Sequence, residues 1–114
     1  MDNQEIWQNV GGIVSSYEIL ECDRCAIAVM QWLRENRIAG KILRLRTKRR
    51  NEVFIICDRH NSGSTITENG THYGVEVLGK VFDNLSDQGT PREQWISSFH
   101  CMSEKFVLEE LDSL

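Results

Sequence analysis

The chain has 114 residues, of which 40% are hydrophobic, and carries a formal net charge of −4 at pH 7. This size and apolar content predict a single domain over residues 1–114, with a core that forms without disulfide or metal staples. The negative net charge argues against a chain whose whole surface binds nucleic acid. Because the sequence shows neither a signal peptide nor an apolar stretch of membrane-spanning length, we expect a cytoplasmic protein that does not enter the membrane.

Two amphipathic helices are predicted in the first third of the chain. Residues 3–18 carry apolar side chains at helical spacing, beginning with Trp7, although two adjacent glycines weaken the pattern. Residues 23–37 carry a second stripe of this kind, and Gly40 follows where a helix-terminating glycine is common.

Strand patterns follow the helices. KILRLRT, residues 41–47, alternates apolar and basic side chains as a half-exposed strand does. EVFIICD, residues 52–58, is a continuous β-rich run typical of a buried strand, and a polar loop is predicted over residues 58–70. HYGVEVLG and KVFDNL then predict two antiparallel strands joined by a tight turn at Gly79 and Lys80.

A short helix is predicted directly after the segment SDQG. Thr90 as N-cap, Pro91 at the first helical position and Glu93 form a capping-box pattern, and Trp95 follows on the helix. The tail KFVLEELDSL fits either a helix or an edge strand. Two helices, then mostly antiparallel strands, then a short helix predict an α+β fold.

The four cysteines, together with one histidine, suggest a metal site. Cys22 and Cys25 form C-x-x-C, and Cys57 and His60 form C-x-x-H, which together make a legitimate set of zinc ligands. Against zinc, Cys25 continues into an apolar helix stripe, and no glycine stands near either pair. A zinc-stabilised binding module therefore stays an alternative, whereas a redox pair would need a strand before Cys22. Structural disulfides are not expected in a reducing cytosol.

The segment RLRTKRR, Arg44–Arg50, is strongly basic in an acidic chain. Its ordinary explanation is a solvated strand end and turn. The alternative is a protein that targets nucleic acid, in which this run binds phosphates and His72 acts as acid and base.

A thiol nucleophile is the third interpretation of the cysteines. A cysteine that begins a helix is a good nucleophile because unpaired backbone N–H groups and the helix dipole favour its thiolate. It still needs a histidine as base and a group that orients the ring. With a turn at Gly79 and Lys80, antiparallel pairing brings His72 and Asp83 close enough for a hydrogen bond. We therefore predict His72 as base and Asp83 as its orienting partner, with Asn84 as the alternative.

The order of these residues is similar to that of papain-like enzymes, and four segments make the resemblance specific. They are LECDRCAIAVMQWL, RIAGKILRLRT, ITENGTHYGVEV and VFDNLSDQGTPREQW. With them the chain resembles, over about residues 12–99, the second papain-fold toxin family of bacterial polymorphic toxin and toxin–immunity systems. The resemblance implies a minimal papain-like α+β fold, with N-terminal helices packed on a mostly antiparallel sheet.

The same resemblance implies what the protein does. The expected activity is that of a cysteine protease or glutamine deamidase without a cofactor, acting through an acyl-enzyme thioester on a protein substrate. The expected partner is an immunity or antitoxin protein. The expected location is the cytoplasm of the producing cell, or of a target cell after delivery.

Two cysteines compete for the position of the nucleophile. Papain-like and transglutaminase-like enzymes tend to keep a small residue four places after the nucleophile. Counted from Cys22 that place is Ala26, whereas counted from Cys25 it is Val29. The resemblance therefore favours Cys22, which also lies at the predicted helix boundary, and makes Cys25 a packing residue. Cys25 stays the alternative because papain itself uses the second cysteine of a C-x-x-C pattern.

The oxyanion site departs from the papain pattern. Papain-type proteases place a glutamine several residues before the nucleophile, and the matching segment VSSYEIL has none. The oxyanion would then rely on backbone N–H groups of the helix, with support from Ser16 or Tyr17. Trp95 is expected in the core or as a wall over the site.

Overall fold

The computed structural model describes residues 1–60 and 64–114. Within these ranges it contains three helices and seven strands. They are α1 (Asn3–Val14), α2 (Cys22–Glu35), β1 (Lys41–Thr47), β2 (Ile56–Cys57), β3 (Thr71–Val77), β4 (Lys80–Asp83), β5 (Ser86–Thr90), α3 (Arg92–Ser97), β6 (Phe99–His100) and β7 (Phe106–Leu111). None of the described helices combines the length and the apolar composition that a membrane crossing needs.

A five-stranded sheet forms the centre of the molecule. Its strand order is β5-β4-β3-β1-β7, and all neighbouring strands are antiparallel. The short strands β2 and β6 pair separately. Since α1 and α2 precede the strands and pack on this sheet, the predicted α+β class with N-terminal helices is confirmed.

Apolar side chains form two buried clusters. The helix-side cluster lies between α1, α2 and the sheet and contains Ile6, Val10, Val14, Cys25, Ala26, Val29, Met30, Leu33, Ile42, Val75, Val77 and Phe82. The far-side cluster contains Leu43, Leu45, Ile55, Cys57, Ile66, Val81, Trp95 and Phe99. Because side chains alternate along a strand, β1 contributes to both clusters and ties them together.

The first helix is shorter than its sequence pattern. The prediction of residues 3–18 is wrong at its end, because α1 stops at Val14. A glycine is needed at position 11, because any side chain there would collide with the carbonyl of Asp87 in β5. Its lack of a side chain lets the helix and the strand come into contact. The second helix, predicted over residues 23–37, runs over Cys22–Glu35.

The predicted cap of the short helix is wrong. Thr90 is the last residue of β5, and its hydroxyl lies 2.9 Å from that of Ser86. Pro91 stands at the N-cap of α3, and because its ring carries no hydrogen-bond acceptor, no side chain caps the helix. The segment SDQG is therefore a strand rather than a lead-in, and Gly89, with a φ of +76°, makes room there for the ring of Phe82.

The predicted strand over residues 52–58 shortens to β2. The residues before β2 belong to no strand but bond to the following loop: Val53 accepts from Gly70 N–H at 2.9 Å, and Ile55 accepts from Ile66 N–H at 2.8 Å. The loop predicted over residues 58–70 includes residues 61–63, which lie outside the described part of the chain.

Two other strand predictions are settled by the pairing. The ambiguous tail is an edge strand, β7, paired with β1. The turn between β3 and β4 lies at Leu78 and Gly79, both with positive φ, rather than at Gly79 and Lys80. The register of β3 and β4 therefore differs from the predicted one, and Val77 pairs with Lys80.

Candidate active site

Cys22 is the first residue of α2, and it lies on an open cleft. Its side chain is 8% exposed and lines this cleft, which has a volume of about 340 Å³. Cys25 lies one turn further along and belongs to the helix-side cluster. Burial, aided by the charges of Asp83, Cys22 and Glu21, raises the pKa of Cys25 to about 12. Of the two thiols, Cys22 is therefore the one that a ligand in the cleft meets.

His72 and Asp83 form a buried pair on β3 and β4. Val75 pairs with Phe82, so Asp83 lies beside Gly74 and diagonally across from His72, with both side chains on the same face. Nε2 of His72 and Oδ2 of Asp83 are 2.8 Å apart. The two side chains meet as the sequence predicted, although the register differs from the predicted one.

Within the described residues, the second ring nitrogen of His72 has no hydrogen-bond partner of ordinary geometry. Nδ1 is buried and makes no hydrogen bond with the described residues. Burial lowers the pKa of His72, but the hydrogen bond to Asp83 and the neighbouring Cys22 side chain outweigh it and raise this pKa to about 9. The Cys22 side chain is thus close enough to the imidazole to affect its pKa, although no hydrogen bond of ordinary geometry joins the two groups. The raised pKa of His72 favours the imidazolium form of the ring, with Nε2 on Asp83.

Asp83 is held as a carboxylate by several donors. Its Oδ2 accepts from the indole Nε1 of Trp95 at 2.8 Å, and its Oδ1 accepts from the Leu85 N–H at 3.0 Å. Burial alone raises the pKa of Asp83, but its bond to His72, the charge of Arg59 and the Trp95 bond lower it below the ordinary value. The pair is therefore ionised and fixed in one orientation.

Two aromatic rings enclose the imidazole. The His72 ring is stacked with Trp95, at 6.1 Å between centroids, and tilted against Phe99 at 5.1 Å. Gly74 makes this arrangement possible, because a Cβ there would lie 2.8 Å from the Trp95 ring. Trp95 is fully buried behind the pair and does not line the cleft, so it supports Asp83 rather than forming the wall.

A hydrogen-bonded loop forms the opposite side of the cleft. The Thr67 hydroxyl bonds to Asn69 Oδ1 at 2.8 Å and to the Thr71 carbonyl at 3.0 Å. Gly70 adopts a φ of +73°, which turns the chain into β3 and toward His72. The residues that line the cleft are Leu20, Cys22, Asp23, Ile66, Thr67, Glu68, Asn69, Thr71 and Tyr73.

The other predicted support residues lie elsewhere. Tyr17 packs against the helix-side cluster, and Ser16 contacts the Gly12 carbonyl at 3.5 Å; neither lines the cleft. Asn84 donates to the Glu18 carbonyl at 2.7 Å, which ties the end of β4 to the segment between α1 and α2. The histidine partner in the structure is therefore Asp83 and not Asn84.

Arg59 and Phe99 escaped the sequence-based prediction. Nη2 of Arg59 is 3.6 Å from Asp83 Oδ2 and 3.1 Å from the Ser98 hydroxyl, and its guanidinium lies over the Phe99 ring. Arg59 stands in a polar loop segment, where no periodicity indicates the direction of a side chain. Phe99 follows α3 and belongs to β6, a strand of two residues without a sequence pattern of its own.

The zinc alternative is not supported by the placement of its ligands. No group of three or more His, Cys, Asp or Glu side chains is arranged for a metal within residues 1–60 and 64–114. Cys25 belongs to the helix-side cluster and Cys57 to the far-side cluster, where its thiol donates to the Ser98 hydroxyl at 3.9 Å. All four cysteines are free thiols.

The basic run divides into two parts. Arg44 and Arg46 on β1 both bind the carboxylate of Glu109 on β7. Lys48, Arg49 and Arg50 follow the strand and are exposed.

A cysteine at a helix start beside a buried histidine–carboxylate pair, on an α+β frame, defines a papain-like domain. A family model described as papain fold toxin 2 matches residues 5–100. The chain therefore belongs to this family of toxins, whose papain-like fold indicates a cysteine-based activity. Comparisons with curated proteins and with solved structures found no match.

Proposed function

We propose that the chain is a cysteine hydrolase in which Cys22 attacks a carboxamide or peptide carbonyl of a protein substrate. The observation that carries this proposal is the position of Cys22, on an open cleft and next to an imidazole whose far nitrogen is bound to a buried carboxylate. His72 is the proton carrier, and Asp83 is the residue that orients it.

The chemistry proceeds in two half-reactions. The Cys22 thiolate adds to the carbonyl carbon, and the proton on Nδ1 of His72 passes to the leaving nitrogen as the C–N bond breaks. Ammonia leaves from a glutamine side chain, whereas an amine leaves from a peptide bond. Water then attacks the thioester while His72 takes its proton, and the C–S bond breaks to release the acid and the thiolate.

Backbone N–H groups at the start of α2 supply the oxyanion site in this mechanism. Those of Cys22 and Asp23 donate no hydrogen bond to a described residue. They also stand at the positive end of the helix dipole, where negative charge is stabilised. This arrangement replaces the glutamine that papain-type proteases use.

Brief labelling with iodoacetamide, followed by intact mass and peptide mapping, tests the assignment. We expect one fast-reacting cysteine, Cys22, whose rate falls sharply in His72→Ala. Cys101→Ser, which changes a thiol remote from the cleft, is the matched control and should label as the parent does. Fast labelling at Cys25, or labelling of every thiol only after denaturation, contradicts the proposal.

Growth inhibition on expression gives a second readout. Cys22→Ser and His72→Ala should relieve inhibition while the circular dichroism spectrum of the purified protein is unchanged. A toxic Cys22→Ser variant would transfer the role of nucleophile to Cys25.

Family membership also supports a biological setting for the enzyme. In this proposal it acts in the cytoplasm of the producing cell or of a target cell, and a dedicated immunity protein restrains it. Co-expression with its immunity protein should yield a complex in which Cys22 no longer reacts with iodoacetamide. A complex that leaves the labelling rate unchanged would place the partner away from the cleft.

A further inference from the structure

A second cleft adjoins the one that contains Cys22. It has a volume of about 380 Å³, and we call it the basic cleft. Its lining residues are Arg46, Thr47, Lys48, Arg49, Arg50, Asn69, Gly70 and Thr71. Asn69 and Thr71 line both clefts, so a bound chain that passes over these two residues reaches from the thiol to the basic residues.

The basic cleft carries three cations that no ion pair within the described residues neutralises. Lys48, Arg49 and Arg50 are exposed and form no ion pair with the described residues. The nearby Glu52 carboxylate accepts at Oε2 from the backbone N–H and hydroxyl of Ser103, each at 3.1 Å, and these bonds, with a smaller effect of the Arg49 charge, lower the pKa of Glu52. Three free cations in a chain of net charge −4 form a local site for anionic groups.

The sign of the charge changes along the joined clefts. Around the thiol, the lining includes the carboxylates of Asp23 and Glu68. Beyond Asn69 and Thr71 the charged lining residues are all cationic. An acidic side chain next to the reactive amide would be repelled, whereas one further along the chain, on the basic side, would be attracted.

Backbone bonds fix the floor between the two clefts. The Gly70 N–H donates to the Val53 carbonyl, and the Gly70 carbonyl accepts from the Thr47 N–H, each at 2.9 Å. A side chain at Gly70 would collide with the Glu52 carbonyl and the Thr47 hydroxyl. The loop that presents Lys48, Arg49 and Arg50 is therefore tied to the loop that lines the catalytic cleft.

We propose, on the basis of the hydrolase function above, that the substrate is a protein segment with acidic residues on one side of the reactive amide. Lys48, Arg49 and Arg50 bind those residues. Nucleic acid fits this surface less well, because three free cations release few counterions and give weak binding at physiological salt.

Three peptide probes test this inference. Each carries a chloroacetamide in place of the reactive glutamine side chain; one has Glu-Glu on its N-terminal side, one has Glu-Glu on its C-terminal side, and one has Gln-Gln on both. The rate of Cys22 alkylation is measured by intact mass. We expect one acidic peptide to react about tenfold faster than the neutral one at low ionic strength, and the other acidic peptide to show no gain.

Charge reversal identifies the residues responsible. Lys48→Glu/Arg49→Glu/Arg50→Glu should abolish the preference, as should about 0.5 M salt, which screens exposed charges. Arg50→Glu alone should reduce it, whereas Arg37→Glu, the same change at an exposed position just after α2, should not. Equal rates for all three peptides, or a preference that survives the triple reversal, overturn the inference.

Iodoacetamide separates this inference from the hydrolase proposal. If Cys22 fails to react with iodoacetamide in the wild type, the hydrolase proposal fails, and this inference fails with it. If Cys22 reacts normally but the three peptides do not differ, only the substrate preference fails. Tight binding of a short single-stranded RNA at physiological salt, lost on the triple reversal, would instead assign the basic cleft to nucleic acid.

Discussion

The substitution Asp83→Asn tests the electrostatics of the buried pair. It keeps the size of the side chain but removes the charge that His72 and Trp95 face. In the wild type the bond to Asp83 is foremost among the contacts that raise the pKa of His72 against the effect of burial. Without the carboxylate, burial should prevail, and the pKa of His72 should fall below its ordinary value of 6.5.

The magnitude follows from the size of the shift. The pKa of His72 rises from 6.5 to about 9, and at about 1.4 kcal/mol per unit this corresponds to roughly 3 kcal/mol of folding free energy. Because the folded-state pKa is the higher one, this stabilisation is complete below about pH 6.5 and is lost as the pH rises through about 9.

The contribution of Asp83 to stability depends on pH in the opposite direction. Its pKa is lowered in the fold, so its contribution is present above the ordinary value of 3.8 and is lost as the pH falls below it. The pair therefore stabilises the wild type most between about pH 4 and 6.5, and Asp83→Asn should remove this dependence.

Two measurements check the prediction. NMR titration of the three histidines gives the pKa of His72 directly, and urea unfolding at about pH 6 and pH 10 gives the change in stability. Asp87→Asn, which removes an exposed carboxylate from β5, is the control and should leave the pKa of His72 near 9. A His72 that titrates above about pH 8 in Asp83→Asn would refute the reasoning.

Three further substitutions probe the support of the site. Arg59→Met removes a cation 3.6 Å from Asp83 and should lower the free energy of unfolding in urea at neutral pH by about 1 kcal/mol. The midpoint of acid unfolding should move to higher pH, and an unchanged midpoint contradicts this. Gly74→Ala forces a methyl group against Trp95 and should cost about 1–3 kcal/mol, seen as a lower Tm. Cys25→Ser buries a hydroxyl and should be less stable than Cys25→Ala by about 1–3 kcal/mol, while Cys22 keeps its iodoacetamide reactivity in Cys25→Ala.

The elements nearest the site could be predicted because each has a strong local pattern. The C-x-x-C-A stretch continues into an apolar stripe, and the helix it predicts begins within one residue of the observed start at Cys22. His72 and Asp83 lie on strands joined by a two-residue turn, and a register error of two residues keeps both side chains on the same face of neighbouring strands and within bonding reach.

The parts that sequence patterns missed depend on distant contacts. The strand β5 has no apolar alternation, since its residues are SDQGT, and it forms because β4 offers it an edge and α1 packs against it. Arg59 supports Asp83 from a polar loop, where only the folded chain brings the two side chains together. The prediction of Thr90 as N-cap was wrong for a related reason: Thr90 pairs with β4 as part of β5, so it cannot cap the helix.

The two apolar clusters divide the candidate catalytic residues between them. Cys22 begins a helix whose buried face belongs to the helix-side cluster, whereas His72 lies against Trp95 and Phe99 of the far-side cluster. The approach of the thiol to Nδ1 therefore depends on how these clusters are held relative to each other across the sheet. Asn84 reinforces that relation, because its bond to the Glu18 carbonyl joins the end of β4 to the segment before α2. A substitution that loosens either cluster should therefore slow alkylation of Cys22 before it unfolds the chain, because the alignment of two groups tolerates less movement than the burial of apolar surface.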